Sequence, residues 1–185
     1  MDEHASGCTA GRQAGAPPEV LPLVGVLARP PLPGDLDRRL AETFGPAWLT
    51  SETWPFDSTR YYEPEMGAEL VRSFRAYAPA PAGRLAPWKL ATGALEQRWG
   101  QPGARAVNLD PGYITPGGLF LASTKDGPHR LYLADGIYAE LTLLYRRARW
   151  EALPWTFPDF RSGRYDRFLT TCRDRLKGAR ERSDP

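Results

Sequence analysis

The stretch His129-Arg-Leu-Tyr-Leu-Ala-Asp-Gly-Ile-Tyr-Ala-Glu-Leu-Thr-Leu143 decides the fold class. Two runs of alternating apolar and polar residues flank Asp135-Gly136, which is the pattern of a β-hairpin. The register follows from the faces. A two-residue turn at Asp135-Gly136 sets Leu131 opposite Glu140 and Arg130 opposite Leu141, and so mixes charged and apolar groups on both faces. A three-residue loop ending with Gly136 in the left-handed region pairs Leu133 with Ile137, Tyr132 with Tyr138, and Arg130 with Glu140. The faces then separate. Leu131, Leu133, Ile137, Ala139, Leu141 and Leu143 turn to a core, and Arg130, Tyr132, Tyr138, Glu140 and Thr142 share the other side. A register that buries one face cleanly is the one specified, so the second is expected.

Upstream, Leu21-Pro-Leu-Val-Gly-Val-Leu27 is a short apolar run and reads as a buried strand, ended by Pro30, Pro31 and Pro33. Residues 35–44 read as a helix. Leu36, Leu40 and Phe44 form one stripe, Asp35 and Asp37 sit at the positive end, and Gly45 closes it. Residues 47–56 are aromatic and extended. Residues 70–77 read as a strand, residues 88–99 as a second helix stopped by Gly100, and residues 104–109 as another strand. This order gives an α+β fold: a ferredoxin-like antiparallel sheet with helices on one face, extended by a C-terminal β-hairpin and a terminal helix. Thr115-Pro116 fits a helix start and Leu119-Phe-Leu-Ala122 fits a strand, so residues 116–124 stay open between the two.

Downstream, Trp150, Trp155, Phe157 and Phe160 around Pro154 and Pro158 form an apolar strap. Ser162 is the expected cap of a last helix that buries Tyr165, Phe168, Leu169, Cys172 and Leu176. Residues 1–19 have almost nothing to bury and read as a disordered extension. Residues 20–178 form one α+β domain, and residues 179–185 a frayed tail.

Composition narrows the chemistry. The chain has 185 residues, 42% hydrophobic and 25% charged, which suits one globular domain with a core. No window of 18 apolar residues is present, so no membrane helix is expected. The N-terminus does not read as a secretory signal, and the default expectation is a cytoplasmic location. The two cysteines, Cys8 and Cys172, and the two histidines, His4 and His129, have no zinc-ligand spacing. There is no haem or flavin signature and no phosphate loop of the G-x-x-x-x-G-K-[ST] kind. Magnesium stays open as a cofactor, since it needs only one or two carboxylates beside a phosphate.

Of 24 basic residues only three are Lys (Lys89, Lys125 and Lys177), leaving 21 Arg. A position indifferent to the choice would hold Arg here, so each Lys stands out. Residues 35–70 hold eight acidic and three basic side chains, and residues 146–182 eleven basic and five acidic. The two segments fit solvated faces that attract each other, or a basic C-terminal region that meets RNA or an acidic partner. A formal net charge of +2 is too mild to demand nucleic acid.

Several motif blocks follow one another along the chain. They are Trp54-Pro-Phe-Asp-Ser-Thr-Arg-Tyr-Tyr-Glu-Pro-Glu-Met-Gly67, Asn108-Leu-Asp-Pro-Gly-Tyr113, Ser123-Thr-Lys-Asp126, His129-Arg-Leu-Tyr-Leu133, Gly136-Ile-Tyr-Ala-Glu-Leu-Thr-Leu143 and Trp155-Thr-Phe-Pro-Asp159. Over about residues 21–177 the chain resembles the bacterial domain of unknown function family DUF4416. The resemblance implies a single domain and brings no activity with it.

Apolar packing does not account for the polar residues of these blocks. The candidates for ligand binding are Tyr62, Glu65, Lys89, Asp110, Tyr113, Lys125, Asp126, His129, Arg130, Tyr132, Tyr138, Glu140 and Thr142. Arg130 and Lys125 would hold an anion, tyrosines would stack on a ring, and Glu140 with Asp110 would take a hydroxyl, an amine or magnesium. Plainer readings exist: Arg130–Glu140 as a surface cross-strand pair worth under about 1 kcal/mol, and His129 as a core histidine. No nucleophile stands out, and whether the chain is an enzyme is open. The expected function is binding of a small anionic ligand, phosphorylated or nucleotide-like. The alternatives are an RNA-associated module, for which Phe74 and Tyr77 are a weak aromatic match, and a protein-interaction domain using the strap.

Overall fold

The computed structural model describes residues 15–101 and 103–182. Of the extension expected over residues 1–19, positions 1–14 lie outside the described residues, Cys8 among them, and Glu19 already opens the first strand.

The elements run β1 (Glu19–Ala28), α1 (Leu36–Phe44), β2 (Leu49–Thr50), β3 (Trp54–Pro55), α2 (Glu63–Met66), β4 (Val71–Ala76), β5 (Ala80–Pro81), α3 (Leu85–Trp99), β6 (Val107–Thr115), β7 (Gly118–Ser123), β8 (Arg130–Ala134), β9 (Ile137–Arg146), β10 (Arg149–Ala152), α4 (Pro158–Arg161) and α5 (Asp166–Glu181). They build one ten-stranded antiparallel sheet in the order β10-β9-β7-β6-β1-β4-β2. β3 joins β4, β5 joins β1, and β8 joins β9.

β1 lies at the centre, and every residue after Glu19 is buried. Val24, Val26 and Ala28 pack against Leu36 and Leu40 of α1 and Leu95 and Trp99 of α3. The opposite side of β1, Leu21 and Leu23, packs against Leu169, Cys172 and Leu176 of α5. The two crossover helices, α1 and α3, share one face as expected, and the terminal helix α5 covers the other. A strand apolar on both sides requires two covers.

β6 was expected to end at residue 109, but it continues through Asp110-Pro111-Gly112. Side chains of α3 satisfy the Leu109 N–H and C=O, so both point away from β1. Pro111, two residues on, has the same orientation, and its missing N–H falls on that side too. At Gly112 a Cβ would sit 2.2 Å from the Phe120 carbonyl oxygen and 2.6 Å from Leu121 Cδ2. Only glycine allows β7 to come this close.

The open choice over residues 116–124 resolves as the strand β7. It pairs with β6 only from Gly112↔Leu121 to Thr115↔Gly118, and beyond that point the two strands diverge.

In the hairpin, Arg130 pairs with Glu140 and Tyr132 with Tyr138. The turn itself differs from the expected loop. Asp135 (φ 52°) and Gly136 (φ 73°) form a two-residue turn, Ala134 pairs with Ile137, and a bulge at Leu133 restores the outer register. Leu131 and Leu133 do not join the core and are 69% and 37% exposed. β8 is the outer strand at this end, while α3 packs mainly on β6, β7 and β9. Ile137 and Leu143 are buried as expected.

Trp150 and Phe160 of the strap are buried against α5. Ser162 does not cap α5. It follows the single turn of α4, and α5 begins at Asp166. The helix continues past Gly178 to Glu181, and Arg180 donates to the Glu19 carbonyl. Among the described residues no helix is long and apolar enough to cross a membrane.

Candidate functional site

The divergence of β7 from β6 opens a cavity of about 640 Å3. Phe74, Ile114 and Leu119 pack in the cluster under α5. Arg72, Asp110 and Leu121 lie two or four residues away on the same strands, so they share that face and line the cavity, with Leu121 still packed against the cluster.

Arg72 sits deepest. Gly25 of β1 leaves the room: a Cβ there would be 3.1 Å from Arg72 Nη1. Arg72 Nη1 donates to Asp110 Oδ2 at 2.7 Å, and its Nε lies 3.5 Å from Asp159 Oδ2. Burial works against the Arg72 charge, but Asp110 and Asp159 outweigh it and hold the guanidinium protonated. Burial alone would raise the Asp110 carboxyl. The charges of Arg72 and Lys89, with hydrogen bonds from Arg72 and Asn108, overcome this and keep it below its ordinary range. Asp159 goes the other way, pushed up by burial that Arg72 only partly offsets. Its Oδ2 accepts the Tyr165 hydroxyl at 3.2 Å.

Arg105 extends the floor. It makes two bonds to Glu65, at 2.8 and 2.6 Å, and one to Asn108 at 2.7 Å. Asn108 in turn donates to Asp110 Oδ2 at 2.8 Å. The hydrogen bonds from Arg105 keep the Glu65 carboxyl below its usual range. Lys89 enters from α3 on the other face of the sheet and donates to the Leu109 carbonyl at 2.9 Å. Glu96, two helical turns on, accepts the Leu109 N–H at 2.6 Å, and burial raises its carboxyl.

The far wall comes from the hairpin. Arg130 Nε donates to Glu140 Oε2 at 2.9 Å, and Nη1 donates to the Lys125 carbonyl at 2.9 Å. His129 Nε2 lies 3.2 Å from the same Glu140 oxygen. The His129 ring stacks on Trp155 with centroids 5.3 Å apart. Across the mouth, Lys125 Nζ donates to the Tyr61 hydroxyl at 2.7 Å. Tyr61 meets Tyr62 and Phe157 edge to face, forming an aromatic wall.

Seven of the sequence candidates therefore line one cavity: Tyr62, Glu65, Lys89, Asp110, Lys125, Arg130 and Glu140. His129 supports Glu140 without lining the cavity. The other five stand elsewhere. Tyr113 packs on Phe120 and in the cluster under α3. Asp126 bonds the Gly127 N–H in its own turn. Tyr132 is exposed and rests on Tyr138. Thr142 is buried, and its carbonyl accepts the Thr156 hydroxyl.

Sequence reasoning missed Arg72, Arg105 and the supporting Asp159 and Glu96. Arginines are too common here to stand out, but Gly25 inside an apolar strand was a readable sign of close approach. Among the described residues no group of three or more His, Cys, Asp or Glu could hold a metal ion.

No curated protein and no solved structure matches the chain. One family does, over residues 19–176, a span that takes in the sheet, the cavity and most of α5. The chain belongs to the family described as Domain of unknown function (DUF4416).

Proposed function

We propose that the chain binds a small anionic ligand, phosphorylated or nucleotide-like, in the cavity between β6 and β7. The observation that carries this reading is Lys125. It lines the cavity, its ammonium donates to the Tyr61 hydroxyl, and no carboxylate lies within 4.0 Å of it among the described residues. A lysine left this way beside an aromatic wall suits an anion carried on a ring. Any magnesium ion would arrive with the ligand's phosphate, Asp110 and Glu140 being the carboxylates at hand. The cytosol is the setting this reading assumes.

The antiparallel order β6-β1-β4-β2, with α1 and α3 as crossings on one face, supports a ferredoxin-like reading of that half of the sheet. An RNA-associated module has less support, since Phe74 and Tyr77 are buried and offer no stacking surface. A protein-interaction strap has less as well, with Trp150 and Phe160 in the core.

The test is a thermal-shift screen with inorganic phosphate, phosphorylated metabolites and nucleotides, with and without magnesium. Anions should raise the melting temperature of the wild type, and Lys125→Ala should abolish the shift. A wild type indifferent to every anion overturns the reading.

A further inference from the structure

We infer that the cavity takes a single phosphomonoester on a hydroxyl-bearing body, a sugar phosphate or nucleoside monophosphate, in preference to a di- or triphosphate. This rests on the anion-binding reading above and narrows it by counting which charges remain free.

Five cationic side chains line the cavity: Arg72, Lys89, Arg105, Lys125 and Arg130. Three carboxylates line it with them: Glu65, Asp110 and Glu140. Each arginine is tied to one of these, Arg72 to Asp110 at 2.7 Å, Arg105 to Glu65 at 2.6 Å, and Arg130 to Glu140 at 2.9 Å. Further carboxylates back two of the pairs, Asp159 near Arg72 and Glu96 near Arg105, both at 3.5 Å. Lys89 and Lys125 alone among the five have no carboxylate within 4.0 Å among the described residues. Lys89 spends one N–H on Leu109 and keeps two.

Two ammonium groups thus stand out of contact with any carboxylate among the described residues, Lys89 acting on Asp110 and Glu96, and Lys125 on Glu65, only from longer range. A phosphomonoester brings about −1.5 to −2 at neutral pH, which they balance. A triphosphate brings about two further negative charges into a half-buried site whose arginines are already paired, and uncompensated charge there is costly.

The carboxylates describe the rest of the ligand. Asp110 receives its hydrogen bonds on Oδ2 and Glu140 on Oε2. Asp110 Oδ1 and Glu140 Oε1 accept none among the described residues and are not sealed off from solvent. Each carries spare acceptor capacity, which suits hydroxyl donors. Tyr61, Tyr62 and Phe157 offer the apolar face that a sugar or base would rest on. A free phosphate would use the lysines and leave both of these features unused.

The experiment is isothermal titration at fixed ionic strength with inorganic phosphate, ribose, ribose 5-phosphate, AMP and ATP. It is run first without magnesium and then with it. Without magnesium, ribose 5-phosphate or AMP should bind about tenfold or more tighter than both inorganic phosphate and ATP. Lys125→Ala should remove that advantage while its unfolding midpoint stays at the wild-type value. Preference for AMP over ribose 5-phosphate assigns the aromatic wall to a base, and equal binding assigns recognition to the sugar phosphate; both support the inference. ATP binding as tightly as AMP without magnesium overturns the inference and leaves anion binding standing. Ribose binding as tightly as ribose 5-phosphate, or no binding by any anion, overturns both.

Discussion

Lys89 Nζ donates to the carbonyl oxygen of Leu109 across 2.9 Å, at the place where β6 has lost β7 as a neighbour. Glu96 completes the pair by accepting the Leu109 N–H. Helix α3 thus supplies, from two side chains seven residues apart, the donor and acceptor that a strand would have given. Without them a strand edge in the sheet interior would hold unpaired polar groups.

The two lysines of the cavity should therefore part company in stability measurements. Lys89→Ala orphans the Leu109 carbonyl and should lower the unfolding free energy of the unliganded protein by about 1–3 kcal/mol. Lys125→Ala should stay within about 0.5 kcal/mol of wild type, as surface substitutions do. Urea denaturation of both variants checks this, and equal losses would contradict the division of labour.

Asp110 should govern an acid-dependent share of stability. Its folded carboxyl titrates below the ordinary 3.8, so its contribution is present at neutral pH and is lost as pH falls through the folded value. Asp159 and Glu96 have raised folded values. Their contributions have the opposite sign, present at low pH and lost as pH rises. Asp110→Asn isolates the first group. It weakens the pairing of buried Arg72, and the variant should be less stable by about 3 kcal/mol at pH 7. The gap should narrow below about pH 4 as the wild-type carboxylate protonates. A gap constant from pH 7 to pH 3 would contradict the lowered value.

The residues that were legible in the sequence are those whose role follows from local pattern. The register of Arg130 against Glu140 followed from face separation along fifteen residues. The stripe Leu36-Leu40 followed from helical spacing, and the scarcity of Lys singled out two of the residues that line the cavity. What stayed hidden depends on distant partners. Arg72 looks like any arginine until Asp110, thirty-eight positions on, is seen beside it. Pro111-Gly112 reads locally as the end of a strand. It continues the strand only because α3 and β7, both remote in sequence, make the missing N–H and missing Cβ useful.

Cys172 should be chemically silent in the folded protein. It is fully buried among the α5 core residues, and burial pushes its thiol up to about 12. In a Cys8→Ser variant at pH 8, iodoacetamide should label nothing until denaturant is added, and then label one site. Mass spectrometry reads the outcome, and rapid native labelling would show that α5 opens.

Gly112 should be the glycine least able to accept a side chain. The added methyl of Gly112→Ala would meet the Phe120 carbonyl at 2.2 Å and Leu121 Cδ2 at 2.6 Å. A leucine tip can swing aside, but a carbonyl in a strand cannot move without its strand. Relief therefore requires β7 to shift away from β6, and β7 leads directly into Ser123, Thr124 and Lys125 of the cavity wall. The expected loss exceeds about 2 kcal/mol, toward the upper end for overpacking because the clash is with backbone. Gly117→Ala is the control on the same connection. Nothing lies within 4 Å of its added methyl, and its φ is not positive. That variant should match or slightly exceed wild type, since alanine lowers the entropy of the unfolded chain. Thermal denaturation of the pair, with and without phosphate, separates two effects. Gly112→Ala should lose both stability and any phosphate-dependent shift, because one strand position sets both. If it melts like Gly117→Ala, the close crossing of β6 and β7 is not what holds the cavity open.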